Sequence, residues 1–139
     1  MIVILVIAIL IAMAIPTFLS VRARAQDRAA QAGVTTAVKV EAGLYTDNEV
    51  FVANPAELQA AEPSLDFRVN LPSTDPNEVS VFLPPGNADQ VVILGALSNS
   101  GECFYVQRNA QGATTQATTP AVGQSCTHDP NTGTWTVGW

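Results

Sequence analysis

The stretch MIVILVIAILIAMAIPTFLSVRARAQDRAAQAGVTTAVKVEAG, residues Met1–Gly43, decides the fold. Its first fifteen residues contain no polar side chain, and Pro16 separates them from a run rich in Ala, Arg and Gln. Ala, Arg and Gln favour helix, and proline is better tolerated in membrane helices than in soluble ones. The stretch therefore predicts one long N-terminal helix, apolar in its first half and amphipathic in its second.

The apolar run has the length of a membrane span. A helix from Met1 through Leu19 extends about 28 Å, close to the roughly 30 Å thickness of the hydrocarbon core. A cleaved signal peptide begins with basic residues, and none precedes this run. We therefore expect residues 1–20 to form a transmembrane segment, and residues 21–43 to form the amphipathic half of the helix.

Charge is distributed unevenly along the chain, whose net charge is −6. Arg22, Arg24 and Arg28 follow the apolar run, and the remaining sequence carries eleven of the twelve acidic residues. Such an acidic remainder lacks the basic surface that binds nucleic acid, so no strong nucleic-acid binding is expected. The positive-inside rule would place the three arginines in the cytoplasm, whereas the Lys-poor remainder suits an extracellular surface. This conflict indicates that a basic leader once preceded Met1.

The first part of the chain resembles the N-terminal helix of type IV pilins, the subunits of bacterial type IV pili. The apolar run, the Ala-Ile-Pro16 join, Thr17-Phe18-Leu19 and the Arg/Ala/Gln-rich continuation match the family pattern. The family's cleavage site and its acidic residue near the mature N-terminus are not present, so the chain would start a few residues downstream of the mature start. Gly43–Asn48 and Gly101–Val106 are similar, more loosely, to pilins of Gram-positive, especially actinobacterial, bacteria.

The resemblance implies a structural subunit, not an enzyme, that a prepilin peptidase and a pilus assembly machinery process. A single pass would hold it in the cytoplasmic membrane before assembly. The helices of many copies would then bundle into the core of a homopolymeric filament at the cell surface, with Pro16 letting part of the helix extend. The residues expected to pack in the filament core are Ile4, Val6, Ile9, Ile11, Ile15, Phe18, Val21, Ala25, Ala29 and Ala32.

Two apolar stripes run along the second half of the helix, on different faces. We expect the larger side chains to face the head's own sheet and the small ones to let a neighbouring subunit's helix approach closely. Alternatively, the alanines serve only as helix formers on an exposed face. Gly43 is expected to end the helix. The stripes are Val21, Ala25, Ala29, Ala32 and Thr36 on one face, and Val34, Val38, Ala42 and Tyr45 on the other.

Residues 44–139 are expected to form a globular head. The predicted class is α+β, with the long helix packed on a small antiparallel sheet of three or four strands. A connecting region, 44–78, contains a short helix that Asn54 caps and that ends near Ala61. A meander follows in 79–108, with turns rich in Pro, Gly, Asn and Ser. Its strands are predicted in Glu78–Leu83, Asp89–Leu97 and Cys103–Arg108.

The end of the chain predicts a short strand in 134–139 that contains two tryptophans. Trp135 and Trp139 either cap the small core or provide a subunit contact or adhesive spot, and we favour the cap. Before this strand, residues 109–125 are polar and carry no core pattern. Thr114–Pro120 has the composition of an O-glycan acceptor, as any polar loop would.

Two cysteines, Cys103 and Cys126, have a spacing that fits neither a metal site nor a redox motif. In an exported domain they predict a structural disulfide that closes the loop 103–126, a closure that stabilises by about 3 kcal/mol. Two unrelated buried thiols are the alternative.

The sequence carries no catalytic motif, no phosphate-binding loop and no set of Cys and His residues with metal-ligand spacing. His128 stands alone beside a predicted turn. Asp129–Gly133 is faintly similar to a calcium loop but lacks the distal bidentate Glu. No cofactor or metal is therefore expected.

Three functions compete with the type IV pilin hypothesis. A pseudopilin of a type II secretion system shares the long helix but forms only a short internal filament. An N-anchored extracellular binding domain would never polymerise. A membrane-tethered enzyme is the third, and no residues of this chain suggest it.

Overall fold

The computed structural model describes residues 1–127 and 135–139, and for residues 14–17 it describes the backbone alone. Helix α1 spans Ile2–Asn48 as one element of 47 residues. It ends at Glu49, whose backbone is left-handed (φ 61°) and whose N–H donates to the carbonyl of Tyr45 at 2.8 Å. The predictions for His128 and Asp129–Gly133 lie outside the described residues.

The prediction that Gly43 ends the helix is wrong. Gly43 is exposed, and α1 continues beyond it because Leu44 and Tyr45 pack against the core of the head. A glycine inside a helix costs only about 1 kcal/mol relative to alanine. Burying part of two large side chains in the next turn outweighs that penalty.

Helix α2 spans Pro55–Ala61 and begins as its sequence predicts. The side-chain oxygen of Asn54 accepts a hydrogen bond from the N–H of Ala56 at 3.1 Å, and Pro55 occupies the first helical position. The loop between the helices, residues 49–54, buries Phe51 and Val52.

The head has the predicted α+β class, with one more strand than the upper expectation. Its single sheet has five strands in the order β1-β2-β3-β4-β5. Strands β2 to β5 form an antiparallel meander, whereas β1 pairs parallel with β2, so the sheet is mixed. The strands are β1 Asp66–Val69, β2 Glu78–Phe82, β3 Val91–Leu97, β4 Glu102–Asn109 and β5 Thr114–Pro120.

Strands β2, β3 and β4 fall in the three segments where alternating or apolar runs predict them. Strand β1 was not predicted because, of its four residues, only Phe67 is fully buried. Strand β5 was not predicted because it is rich in threonine and buries only Ala117. At the chain's end, Thr136 exchanges two backbone hydrogen bonds with Gln116 of β5, which is a single bridge rather than a strand.

The two faces of the sheet are covered differently. The first face packs against α1, and the cluster between them includes Val34, Val38, Leu94, Phe104 and Val106. The second face carries a smaller cluster around the disulfide, Ile93, Leu97, Cys103, Tyr105, Ala117 and Cys126, with Trp135 packed beside it.

Gly95 of β3 lies under the ring of Tyr105, its cross-strand partner on β4. A β-carbon at this position would lie 2.6 Å from the ring, well inside contact distance. The glycine therefore makes room for the aromatic ring that fills the second face.

We predict that Gly95→Ala destabilises the head, because the added methyl group forces Tyr105 out of its place. Overpacking of this kind lowers the free energy of unfolding by about 1–3 kcal/mol. Urea unfolding of the full chain in mild detergent, followed by tyrosine and tryptophan fluorescence, measures the change.

Gly43→Ala is the matched control. Open space surrounds its position in α1, so the extra methyl should stabilise the helix by up to about 1 kcal/mol. Equal effects of the two substitutions would contradict the proposed contact between Gly95 and Tyr105.

Candidate functional site: the exposed surface of helix α1

The N-terminal half of α1 exposes apolar side chains on every side. Ile2 is 78% exposed and Phe18 is 68% exposed, and the helix passes through this region without touching the head. In the described residues, α1 is the one helix long and apolar enough to cross a membrane. A membrane anchor and a signal sequence share this composition.

The residues predicted for the filament core lie on this surface. Their described members are all exposed, and the side chain of Ile15 lies outside the described residues, as does that of Pro16. The backbone of α1 is helical through this position. The exposed members are Ile4, Val6, Ile9, Ile11, Phe18, Val21, Ala25, Ala29 and Ala32.

Farther along, α1 presents two different faces, in agreement with the two predicted stripes. Val34 and Val38 are buried against the sheet, together with Ala30 and Ala37, which belong to neither predicted stripe. The small-residue stripe points away from the head, and its members Val21, Ala25, Ala29 and Ala32 are exposed. Within the described residues, the chain therefore uses one face of α1 internally and leaves the opposite face exposed.

Asp27 ties the head to α1 close to the end of the apolar segment. Its Oδ1 accepts hydrogen bonds from the hydroxyls of Ser98 at 2.8 Å and Ser100 at 2.5 Å, both in the turn between β3 and β4. Ser98 is buried, so its hydroxyl needs this acceptor. The contact fixes the position of the head along the axis of α1. The sequence offered one signal for it, an isolated acid among three arginines.

Glu41 holds the loop that follows α1. Its side chain is fully buried, its Oε2 accepts a hydrogen bond from the N–H of Val52 at 3.1 Å, and its Oε1 has no hydrogen-bond partner. Burial raises the pKa of this carboxyl to about 7, against the lowering effect of the Val52 hydrogen bond, and the nearby Glu57 raises it further. The sequence signal for the burial of Glu41 is its spacing, because it lies three residues after Val38 and four before Tyr45, on the face of α1 that packs against the head.

The disulfide forms between Cys103 at the start of β4 and Cys126, with 5.6 Å between their Cα atoms. The N–H of Cys126 also donates to the carbonyl of Ser73 at 2.8 Å, and the hydroxyl of Tyr105 donates to the carbonyl of Thr127 at 3.0 Å. These bonds fasten the C-terminal segment across the second face of the sheet.

Both tryptophans contact the head. Trp135 packs against the disulfide cluster, and the ring of Trp139 meets that of Phe104 edge to face, with 5.1 Å between centroids. Trp139 nevertheless remains 45% exposed. These contacts support the interpretation that the tryptophans cap the core.

Among residues 1–127 and 135–139, no group of three His, Cys, Asp or Glu side chains is arranged to hold a metal ion. A shallow polar cleft lies beside the turn between β3 and β4, lined by Thr74, Asp75, Ser98, Asn99, Ser100 and Gln124 among others.

Comparison with protein-family models, with curated proteins and with solved structures finds no significant match. The structural observations therefore stand on their own: a long apolar N-terminal helix, a small sheet packed on its second half, and one disulfide. This combination is compatible with a pilin fold.

We predict that Asp27→Ala lowers the free energy of unfolding of the head by about 2 kcal/mol, because two hydroxyls lose a shared carboxylate acceptor. Urea unfolding in mild detergent measures the change. Asp47→Ala removes an exposed carboxylate from the same helix and serves as the control. Equal stability of the two variants would contradict the role of Asp27 as a tie between helix and head.

A second prediction concerns pH and Glu41. Below pH 4.5 the carboxyl is protonated in both the folded and the unfolded chain, so its contribution to stability is constant and most favourable there. Between pH 4.5 and about 7 only the unfolded chain releases the proton, so the free energy of unfolding falls as pH rises, by about 3 kcal/mol in total. Above pH 7 this contribution levels off.

Glu41→Gln keeps a carbonyl acceptor for Val52 but does not titrate. We expect its stability, relative to the unmodified chain, to improve steadily between pH 4.5 and 7.5 in urea titrations. Glu62→Gln, a substitution in the loop after α2, is the control and should leave the pH dependence of the chain in place. A stability difference between Glu41→Gln and the unmodified chain that does not change with pH would contradict the assignment.

Proposed function

We propose that the chain is a structural subunit of an extracellular type IV pilus and polymerises through α1. The observation that carries the proposal is the division of α1 into two parts. Its second half is buried on one face by the head, whereas its first half exposes apolar side chains all around. A surface of this kind is stable only when lipid or other protein covers it.

Before assembly, the apolar segment would sit in the cytoplasmic membrane. It has the length of the hydrocarbon core, and no polar side chain interrupts residues 1–13. The head would lie outside the cell, where the disulfide between Cys103 and Cys126 is stable. A prepilin peptidase and a pilus assembly machinery would process and extract the subunit.

After assembly, neighbouring copies of α1 would replace the lipid. The open stripe of small residues, Ala25, Ala29 and Ala32, lets two helix backbones approach closely. The opposite face of α1 is covered by the subunit's own head and is not open to a neighbour. In the proposed filament, the open stripe of one copy would pack against a different part of the next copy's helix. A repeated contact between unlike surfaces that does not close on itself generates a helical fibre.

Pro16 would be the place where α1 extends in the filament. Proline removes one backbone hydrogen bond and clashes with the preceding turn, so a helix yields there most readily under load. We expect the carbonyl carbons of Ala8–Thr17 in labelled filaments to show extended-chain chemical shifts by solid-state NMR. Helical shifts across the whole segment would contradict this expectation.

The filament itself is tested by imaging. Negative-stain micrographs of cells that encode the chain should show surface filaments, and deletion of the gene should remove them. Filaments that persist without the chain would contradict its role as a required subunit. Cells without surface filaments, whose subunits nevertheless cross-link into short oligomers in the envelope, would instead favour a pseudopilin.

We predict that Ala29→Leu reduces the number of filaments while leaving the head folded, because the larger side chain separates neighbouring helices. A loss of about 1.4 kcal/mol per contact lowers association about tenfold. Filament counts on the cell surface measure the effect.

Ala60→Leu is the matched control, since Ala60 is an exposed alanine on α2, away from the stripe. It should leave filament numbers unchanged. A normal filament count for Ala29→Leu would contradict the packing assigned to the small-residue stripe and would place the contact between copies elsewhere on α1.

A further inference from the structure

Three arginines directly follow the apolar segment, and none of them forms an ion pair within the described residues. Arg22, Arg24 and Arg28 are all exposed. Within the described residues, the ion pair lies elsewhere, between Arg68 and Glu78 at 3.6 Å. The acidic neighbour of the three arginines, Asp27, has its Oδ1 engaged by hydroxyls of the head.

Their depth matches the headgroup layer of a bilayer. With a rise of about 1.5 Å per residue, Arg22 and Arg24 lie roughly 5 and 8 Å beyond Leu19, where the apolar run ends. The polar layer on each side of a bilayer is roughly 5–8 Å thick. Arg28 lies about 14 Å beyond Leu19, which places it within one Debye length of that layer at physiological salt.

Their directions also favour lipid over a single protein neighbour. Successive side chains of an α-helix are rotated by about 100°, so Arg22 and Arg24 project about 200° apart, on nearly opposite sides of α1. A partner that contacts both must surround the helix. A bilayer does so by its nature, whereas one neighbouring subunit covers one side.

We propose that Arg22, Arg24 and Arg28 form a collar that binds the headgroups of anionic phospholipids around α1. The inference rests on the membrane-inserted stage of the proposed function. Guanidinium groups bind phosphate oxygens in bidentate geometry and remain charged at any physiological pH. Asp27 lies between Arg24 and Arg28 on α1, and its negative charge opposes this attraction in part. The collar retains the subunit in anionic membrane until extraction breaks these contacts.

The test uses the full chain reconstituted in phosphatidylcholine bilayers with trace spin-labelled lipid. Electron paramagnetic resonance separates lipids that are slowed by contact with the protein from free lipids, and so gives a relative association constant for each headgroup. We expect phosphatidylglycerol to associate on the order of three- to tenfold more strongly than phosphatidylcholine at about 0.1 M salt. Because the attraction is electrostatic, the ratio should approach one in high salt.

Two variants and one control test whether the lipid selectivity comes from the three arginines. Arg22→Gln/Arg24→Gln/Arg28→Gln should bring the ratio close to one, and Arg24→Gln alone should lower it in part. Lys39→Gln removes one positive charge from an exposed position on α1 about 30 Å beyond Leu19, several Debye lengths away, and should leave the ratio unchanged.

Equal association of the two lipids with the unmodified chain would overturn the proposal, as would selectivity that survives in the triple variant. A dimer that cross-links only when the arginines are present, in bilayers without lipid selectivity, would assign them to a second copy instead and overturn the collar. A spectrum without any protein-slowed lipid would contradict the membrane stage itself, which distinguishes that failure from failure of the collar alone.

Discussion

The structure depends on an apolar surface of α1 that the head does not cover. Residues 2–13 of α1 project beyond the sheet, and exposing such a surface to water is unfavourable in proportion to its area. Folding of the head does not remove this unfavourable free energy, because the sheet reaches only the second half of the helix. Lipid and other copies of α1 are the environments that remove it. In the account proposed here, the two environments follow each other during assembly.

The second half of α1 differs from the first, because it holds the head at a fixed position along the helix. Small and branched side chains, among them Val34, Ala37 and Val38, bring the helix close to the sheet. Asp27 fastens the turn between β3 and β4 at one end of this contact, and Glu41 fastens the loop after α1 at the other. The head is therefore anchored at two points along the helix as well as by its core.

Much of this fold can be predicted from the sequence, and the parts that cannot have identifiable physical causes. The apolar runs of β2, β3 and β4, the cap at Asn54 and the buried stripe at Val34 are local patterns, and all are present in the structure. Strand β5 has no apolar pattern, because its place at the sheet edge depends on pairing with β4 through the turn at Asn109. A parallel neighbour for β2 depends on a connection across the head, which no local pattern encodes.

The candidate site divides in the same way. The exposed apolar segment and the open stripe of small residues follow from composition and helical spacing. The roles of Asp27 and Glu41 do not, because each depends on a partner distant in sequence: Ser98 for the first and Val52 for the second. Charged residues in a helix are usually solvated, and only tertiary contacts reveal which ones are engaged. The arginines beside Asp27 are the opposite case. Because the Asp27 carboxylate accepts hydrogen bonds from the head, they form no ion pair with it in the described part of the chain.

The most direct measurement of the central claim is a helical reconstruction of the isolated filament by electron cryo-microscopy. The account predicts that the apolar half of α1 lies nearest the filament axis, with Ala25, Ala29 and Ala32 against a neighbouring helix and the five-stranded sheet outermost. A map in which the sheets meet at the axis while the apolar half of α1 lies at the periphery would contradict it.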